Sequence, residues 1–387
     1  MQPARWLGGI TIAWGLVATF SAFADTFGGF MACRLLLGLF EAGLFPGFLV
    51  YLSMFYNKRH IALRVAYLFS TAAWAGAIGG LVAYAIGDLH EADNGWNGWR
   101  WVFMINGVPT ILTGVVAPFV LPNSPATCKF LTQEERDDLV VLREAEVGQT
   151  KASQEFIKKD AIDALKDWKT WAFAAGQYCL NSMLYSFSVF LPTIIVETGN
   201  GWSRVQVQAL TVPVYGLGAF TYLFCAFLSD KYQVRGPFAM GAICASMLGY
   251  IILIANINPS ASFAACFIVA FGLYTAAGIP FAWGPVNNPR YAKRAIASGI
   301  QLTIGNASGV AAPFLFSDAD APLYRPGYAG TIAMLFIALI IFSSMHFFYK
   351  WDNKKKLRGD YDHLVEGMTE AEANEQGEKN PRYLWSP

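Results

Sequence analysis

About ten apolar stretches, each close to the length that a helix needs to cross a bilayer, lie four before and six after one long charged segment. Hydrophobic residues make up 55% of the 387, charged residues make up only 14%, and the apolar residues form continuous blocks rather than amphipathic stripes. A soluble domain of this length normally carries more charge. The sequence therefore predicts an all-α, polytopic membrane protein with about ten transmembrane helices, arranged 4 + 6.

The ends of the spans are set by where the apolar blocks give way to polar residues. The predicted spans are Trp6–Phe23, Gly29–Tyr51, Ala62–Ile86, Trp99–Leu121, Trp171–Val196, Val205–Leu228, Phe238–Ala255, Phe263–Trp283, Ala295–Phe316 and Tyr328–Tyr349.

Basic residues are concentrated in alternate loops, whereas the loops between them are acidic or neutral. The basic positions include Lys58, Arg59, Arg64, Lys231, Arg235, Arg290, Lys293 and Arg294. Because cytoplasmic loops carry an excess of Lys and Arg, this pattern predicts that both termini and the long charged segment are cytoplasmic. The resulting prediction is a multi-pass protein of the lipid bilayer.

The charged segment between the two groups of spans contains one helix signal. Thr132 followed by Glu135 is a capping box, and the apolar residues after it predict an amphipathic helix. We predict an incomplete N-terminal bundle at 1–122, a cytoplasmic loop at 123–168, a six-span C-terminal bundle at 169–350 and a disordered cytoplasmic tail at 351–387. The tail is assigned to disorder because residues 370–379 include no apolar residue larger than Ala.

Several function classes lose support from the composition. A net charge of +1 gives no electrostatic basis for binding nucleic acid. The six cysteines form no Cys-x-x-Cys pair and lie mostly in apolar blocks, so they are interpreted as packing residues and not as metal ligands or disulfides. The sequence shows no phosphate-binding glycine loop and no nucleophile motif, so neither an enzyme nor a cofactor is predicted.

The second span carries two ionisable residues. Arg34 and Glu41 are seven positions apart, which places them on one face of a helix about 10 Å apart along its axis. A guanidinium can bind a carboxylate through two parallel hydrogen bonds, and a half-buried carboxyl group can exchange protons near neutral pH. The alternative is structural: Arg34 extends to the outer interface and Glu41 pairs with another helix.

A longer string around these residues resembles a known family. Arg34-Leu-Leu-Leu-Gly38-Leu-Phe-Glu41-Ala-Gly-Leu-Phe-Pro46-Gly is similar to the fourth-helix motif of the major facilitator superfamily, and in particular to its anion:cation symporter branch, the fungal allantoate permease-like group. Further matching strings begin at Asn97, Phe130, Trp283 and Arg294. The resemblance covers nearly the whole chain. It implies that the spans correspond to the family's helices three to twelve, with the first two absent.

The resemblance also implies roles for particular residues. Arg34 would bind the substrate anion and Glu41 would couple protons, as in related vesicular carriers of glutamate and sialic acid. Ala226-Phe-Leu-Ser-Asp230-Lys231, followed by Arg235, is similar to the family's loop motif, so Asp230, Lys231 and Arg235 would contact neighbouring helix ends and hold the inner gate. The alternative is that Asp230 and Lys231 form a solvated turn.

Other polar or aromatic residues inside spans are candidates for contact with the solute. The predicted substrate-binding residues are Arg34, Trp74, Asn181, Tyr185, Asn287 and Asn306, with Gln177 and Gln301 as further polar positions. For each of them a hydrogen bond between helices is the competing explanation.

These observations predict a secondary active transporter of a small organic anion, coupled to protons and working by alternating access. The resemblance implies a fungal protein of the plasma membrane. One alternative is an exporter of a secondary metabolite. Another is a non-transporting protein, either a truncated remnant or a transporter-derived sensor, because the first bundle would lack two of its helices.

Overall fold

The computed structural model describes residues 3–56, 61–87, 97–124, 127–128, 130–147, 157–197, 201–202, 204–316, 320 and 323–387. Within these ranges the regular structure is entirely helical. Ten long helices coincide with the ten predicted spans, and seven of them are long and apolar enough to cross a membrane. The prediction of an all-α, polytopic membrane protein is therefore confirmed.

The helices are numbered in chain order. The first four are α1 (Pro3–Ser21), α2 (Phe27–Phe55), α3 (Ile61–Gly87) and α4 (Gly98–Val120). Two shorter helices follow, α5 (Gln133–Val147) and α6 (Lys158–Lys166). The last six long helices are α7 (Trp168–Glu197), α8 (Arg204–Tyr232), α9 (Gly236–Ala255), α10 (Pro259–Val286), α11 (Tyr291–Leu315) and α12 (Arg325–Leu357).

Several helix ends follow directly from the sequence. The hydroxyl of Thr132 accepts the backbone N–H of Glu135, and the Glu135 carboxylate accepts the N–H of Thr132 at 2.9 Å, so the predicted capping box opens α5. The side chains of Thr26 and Asn258 cap α2 and α10 in the same way, each accepting a backbone N–H three residues on.

The chain forms two compact units, and the division falls inside α3. One unit comprises Met1–Asn57 and Gly79–Glu146, and the other comprises Lys58–Ile78 and Val147–Pro387. By contrast, the N-terminal bundle predicted from the sequence, 1–122, includes all of α3. The first part of α3 groups with the second unit because Phe69 packs its ring against Tyr222 and Phe281, with ring centres 5.9 and 5.7 Å away.

In the first unit, α1 and α4 pack at backbone distance through glycines. A Cβ added at Gly8 would lie 2.7 Å from Pro118 Cγ, and one at Gly114 would lie 2.7 Å from the Ile12 nitrogen. Gly15 and Gly107 are seven residues from these positions and are equally crowded. Small residues let membrane helices approach closely enough for dispersion contacts to hold them together.

In the second unit, large aromatic side chains fill the core. Trp283 is fully buried and packs edge-on against Phe173, with ring centres 5.4 Å apart, and Phe342 lies against both rings. Glycines again set the closest contacts: an added Cβ at Gly272 on α10 would overlap the carbonyl oxygen of Ala242 on α9.

The tail, residues 351–387, was predicted to be disordered, and the structure shows it folded: α12 continues to Leu357, and the remainder, residues 358–387, is here called the C-terminal segment. Thr369 and Glu372 form a second capping box that opens a short helix, α13 (Glu370–Glu375). Beyond it, Trp385 is only 6% exposed and stacks on Tyr349 of α12 at 5.0 Å. Composition was a poor guide because the segment is held by polar groups of the bundle and by two aromatic side chains, Tyr383 and Trp385, that lie beyond its polar stretch.

Two clusters of polar side chains hold the C-terminal segment against the helices of the second unit. The ammonium group of Lys293 lies 2.5 Å from Asp167 and 2.7 Å from Glu378, and Lys169 lies 3.2 Å from Glu378. Burial by itself would raise the pKa of Asp167, but the adjacent lysines outweigh it and leave the pKa lowered. Further along, the Asn353 side chain exchanges two hydrogen bonds with the backbone of Trp385.

The glycine contacts predict opposite effects for one substitution at two sites. Ala in place of Gly in a helix interior is favourable by about 1 kcal/mol, and Gly241→Ala should keep that gain because nothing lies within 4 Å of its added Cβ. At Gly272→Ala the overlap with Ala242 should outweigh the gain, since overpacking costs about 1–3 kcal/mol. Thermal unfolding of the purified protein in detergent measures both. Equal melting temperatures for the two variants would contradict the close packing of α9 on α10.

Candidate functional site

Arg34 lies on an exposed face of α2. Its side chain is exposed, and so are the neighbouring Leu35 and Leu39, at 69% and 67%. The guanidinium carbon lies 4.8 Å from the ring centre of Phe30 and 5.5 Å from that of Phe103 on α4. At such distances an aromatic face attracts a cation and fixes its position. The two rings therefore hold the guanidinium in place on this face of α2.

Glu41 lies two helical turns further along α2, and its side chain is exposed rather than half-buried as predicted. In the part of the chain that the structure describes, neither Arg34 nor Glu41 has an ion-pair partner. The structural alternative, in which Glu41 forms an ion pair with another helix, is thus not seen among those residues.

Five polar side chains of α7 and α11 form a connected cluster in the second unit. They are Gln177, Asn181, Tyr185, Gln301 and Asn306. Gln177 and Gln301 also donate to backbone carbonyls of α10, at 3.0 and 3.1 Å. The cluster brings together three of the predicted substrate-binding residues, and the spacing of four between successive members on α7 is the signal that places them on one helix face.

Close packing at Gly305 allows this cluster to form. A Cβ added there would lie 2.7 Å from Gln177 Cγ and 3.1 Å from Asn181 Nδ2. The glycine therefore lets α11 approach α7 until the amide groups meet.

Two further predicted substrate-binding residues, Trp74 and Asn287, make none of the cluster's hydrogen bonds. Trp74 on α3 is half exposed. Asn287, just after α10, is buried, and both polar atoms of its amide are engaged by the backbone of Ser386, at 2.8 and 3.0 Å. The structure thus places Asn287 against the C-terminal segment, a partner 99 residues away that its sequence context did not indicate.

The predicted gating residues flank the turn between α8 and α9, here called the gating turn: Asp230 and Lys231 lie in the last turn of α8, and Arg235 directly precedes α9. Asp230 accepts the backbone N–H of Leu63, near the start of α3, at 2.8 Å, and lies 3.5 Å from Arg235. Asp230 thus contacts a neighbouring helix end, and it is 8% exposed rather than solvated. Burial lowers the pKa of the Arg235 guanidinium, and Asp230 opposes that shift.

The third predicted gating residue has a different environment. Lys231 is exposed, and its ammonium group lies 5.8 Å from the Tyr232 ring centre. The structure also adds a contact that the sequence did not suggest: the backbone N–H of Arg235 donates to the Pro387 oxygen at 2.8 Å.

A sequence profile of the Major Facilitator Superfamily matches residues 2–313, which is most of the chain. The chain belongs to the major facilitator superfamily. Its fold agrees with this: a bacterial proton:xylose symporter, XylE, superposes with a TM-score of 0.63 over 88% of this chain and 79% of its own, at 15% sequence identity.

Fungal members of the superfamily are similar over nearly the full length of this chain and over about two thirds to three quarters of their own. An uncharacterized transporter of Schizosaccharomyces pombe is 35% identical over 94% of this chain and 72% of its own. An MFS-type transporter of Penicillium expansum is 31% identical, over 98% and 76%. The high-affinity nicotinic acid transporter of Saccharomyces cerevisiae is 28% identical, over 92% and 66%. These superfamily relatives are transporters and not enzymes, as the sequence predicts.

The geometry of the gating turn predicts a loss of stability. Asp230→Ala removes the acceptor of the Leu63 N–H and the nearby carboxylate of the buried Arg235, and breaking a buried ion pair costs about 3–5 kcal/mol. Lys231→Ala, at the adjacent exposed position, is the control and should unfold like the parent protein. Thermal unfolding in detergent distinguishes them, and a solvated turn would leave both variants unchanged.

Proposed function

We propose that this chain is a proton-coupled transporter of small organic anions, of the anion:cation symporter branch of the superfamily. In this proposal Arg34 binds the solute's carboxylate, Glu41 carries the proton, and transport follows alternating access. The assignment of its spans to helices three to twelve, the plasma membrane as its location and cytoplasmic termini are parts of the same proposal.

One observation carries the proposal. The apolar part of α2, Phe27–Leu49, is suited to crossing a membrane and carries two charged side chains, Arg34 and Glu41. An uncompensated charge inside a membrane is costly, and such residues mark substrate or ion pathways. Since neither residue has an ion-pair partner among the described residues, a carboxylate solute would supply the counter-charge for Arg34.

The similarity to a nicotinic acid transporter supports a carboxylate as the solute. Nicotinic acid is an aromatic carboxylic acid that is ionised at neutral pH. A planar guanidinium matches such a group because two N–H donors meet two oxygens. The contacts with Phe30 and Phe103 hold the Arg34 guanidinium at a defined position on α2, from which it can meet such a group.

Substitution of Arg34 should abolish efficient uptake. Proteoliposomes with an inward proton gradient are tested with radiolabelled nicotinate, benzoate, pantothenate and biotin. A hydrogen-bonded charge pair accounts for about 10- to 100-fold in affinity, so Arg34→Ala should lower kcat/KM by that factor, and Arg34→Lys should fall between. Arg136→Ala, in α5, is the matched control. Unchanged uptake by Arg34→Ala would refute the role of the guanidinium.

Glu41 is tested separately from solute binding. Glu41→Gln keeps the size of the side chain but cannot lose a proton between pH 5 and 8. It should therefore stop accumulation driven by a pH gradient while leaving the exchange of labelled for unlabelled solute intact. Gradient-driven accumulation at the parent rate would show that another group carries the proton.

A further inference from the structure

The buried glutamines of the cluster have a fixed orientation. Backbone carbonyl oxygens only accept hydrogen bonds, so the Gln177 nitrogen must face Ala277 O and the Gln301 nitrogen must face Pro280 O. Each nitrogen has one more hydrogen. Gln301 gives its second to the Gln177 oxygen at 3.1 Å, and Gln177 gives its second to the Asn181 oxygen at 2.8 Å.

The orientation of the two glutamines also determines the orientation of the Asn306 amide. Because the Asn181 oxygen already accepts, the Asn181 nitrogen faces outward and lies 3.4 Å from the Asn306 oxygen. The Tyr185 hydroxyl donates to the same oxygen at 3.1 Å. With its oxygen held by two donors, Asn306 must present its nitrogen at the other edge of the amide. That nitrogen makes no hydrogen bond within the described part of the chain.

The amide side chains of the cluster differ in how deeply they are buried. Gln177, Asn181 and Gln301 are at most 2% exposed, whereas Asn306 is exposed. Reversal of any buried amide would bring oxygen against oxygen, and an unpaired buried polar group is expensive. The fixed carbonyls of α10 therefore determine which atom of Asn306 is displayed.

From this geometry we infer that Asn306 is a specificity-determining residue that donates a hydrogen bond to an acceptor oxygen of the solute, a carboxylate or carbonyl. Gln177 and Gln301 are positioning residues that hold it in the donating orientation. The inference rests on the proposed function, because it needs an anion that the protein transports. It adds a rule for solute selection: a solute that presents only hydrogen-bond donors to the Asn306 nitrogen is rejected.

The variant Asn306→Asp separates the solute contact from helix packing. A carboxylate still accepts from Asn181 and Tyr185, so the melting temperature should not fall. It cannot donate, however, and it repels an anion. With the four radiolabelled carboxylates named above, we expect KM for a transported solute to rise about 10- to 100-fold, as for loss of a hydrogen bond to a charged group. Asn306→Leu, which removes the acceptor, should also lower the melting temperature.

The positioning role is tested with a double-mutant cycle. Gln301→Met keeps the bulk of the side chain but removes the amide that donates to the Gln177 oxygen. It should raise KM several-fold. Added to Asn306→Asp, it should raise KM no further, because it acts through the Asn306 amide. A merely structural role would instead give KM effects that multiply in the double variant.

The outcomes are distinct. Parent-like KM in a folded Asn306→Asp protein, while Arg34→Ala still lowers kcat/KM for uptake, would overturn this inference and leave the proposed function standing. If the parent protein takes up none of the four carboxylates, the proposed function fails and this inference fails with it. A raised KM in Asn306→Asp with an unchanged melting temperature supports the inference.

Discussion

Polar groups in an apolar environment have no water to bind, so each must find a partner inside the protein. For the backbone this requirement is met by helices, which satisfy every interior N–H and C=O locally. For side chains it is met by contact with one another or with backbone carbonyls that retain a second lone pair. The amide cluster of α7 and α11, the gating turn and the C-terminal segment are three solutions to the same requirement, all in the second unit.

The sequence was sufficient for the helices and for part of the candidate site. Ten apolar blocks of membrane-spanning length became ten long helices, and the Thr132 capping box formed as predicted. Asn181 and Tyr185 share a face because they are four residues apart, and Asn306 meets them across one close helix contact at Gly305. These features depend on local periodicity, which a single sequence displays directly.

The remaining features depend on contacts that are distant in sequence. Asn287 was assigned to the solute because it is polar within an apolar region, yet it binds Ser386. The C-terminal segment was assigned to disorder by its composition, yet buried lysines and asparagines of the helices hold it. The division within α3 depends on where Phe69 packs. In each case the deciding partner lies too far along the chain for periodicity or composition to identify it.

The hydrogen bonds that hold the end of α10 limit how this helix can move. Its last turns, from Ala277 to Asn287, are held on one side by glutamines of α7 and α11 and on the other by Tyr383 and Ser386. Pro280 and Pro285 lie within this stretch and would ordinarily make it a hinge, since each removes a backbone hydrogen bond. Because these hydrogen bonds tie the stretch to two other parts of the unit, we expect it to bend less than its prolines alone would allow. We expect flexing of the second unit to occur instead in the helices whose prolines lie outside the anchored stretch, at Pro192, Pro213 and Pro313.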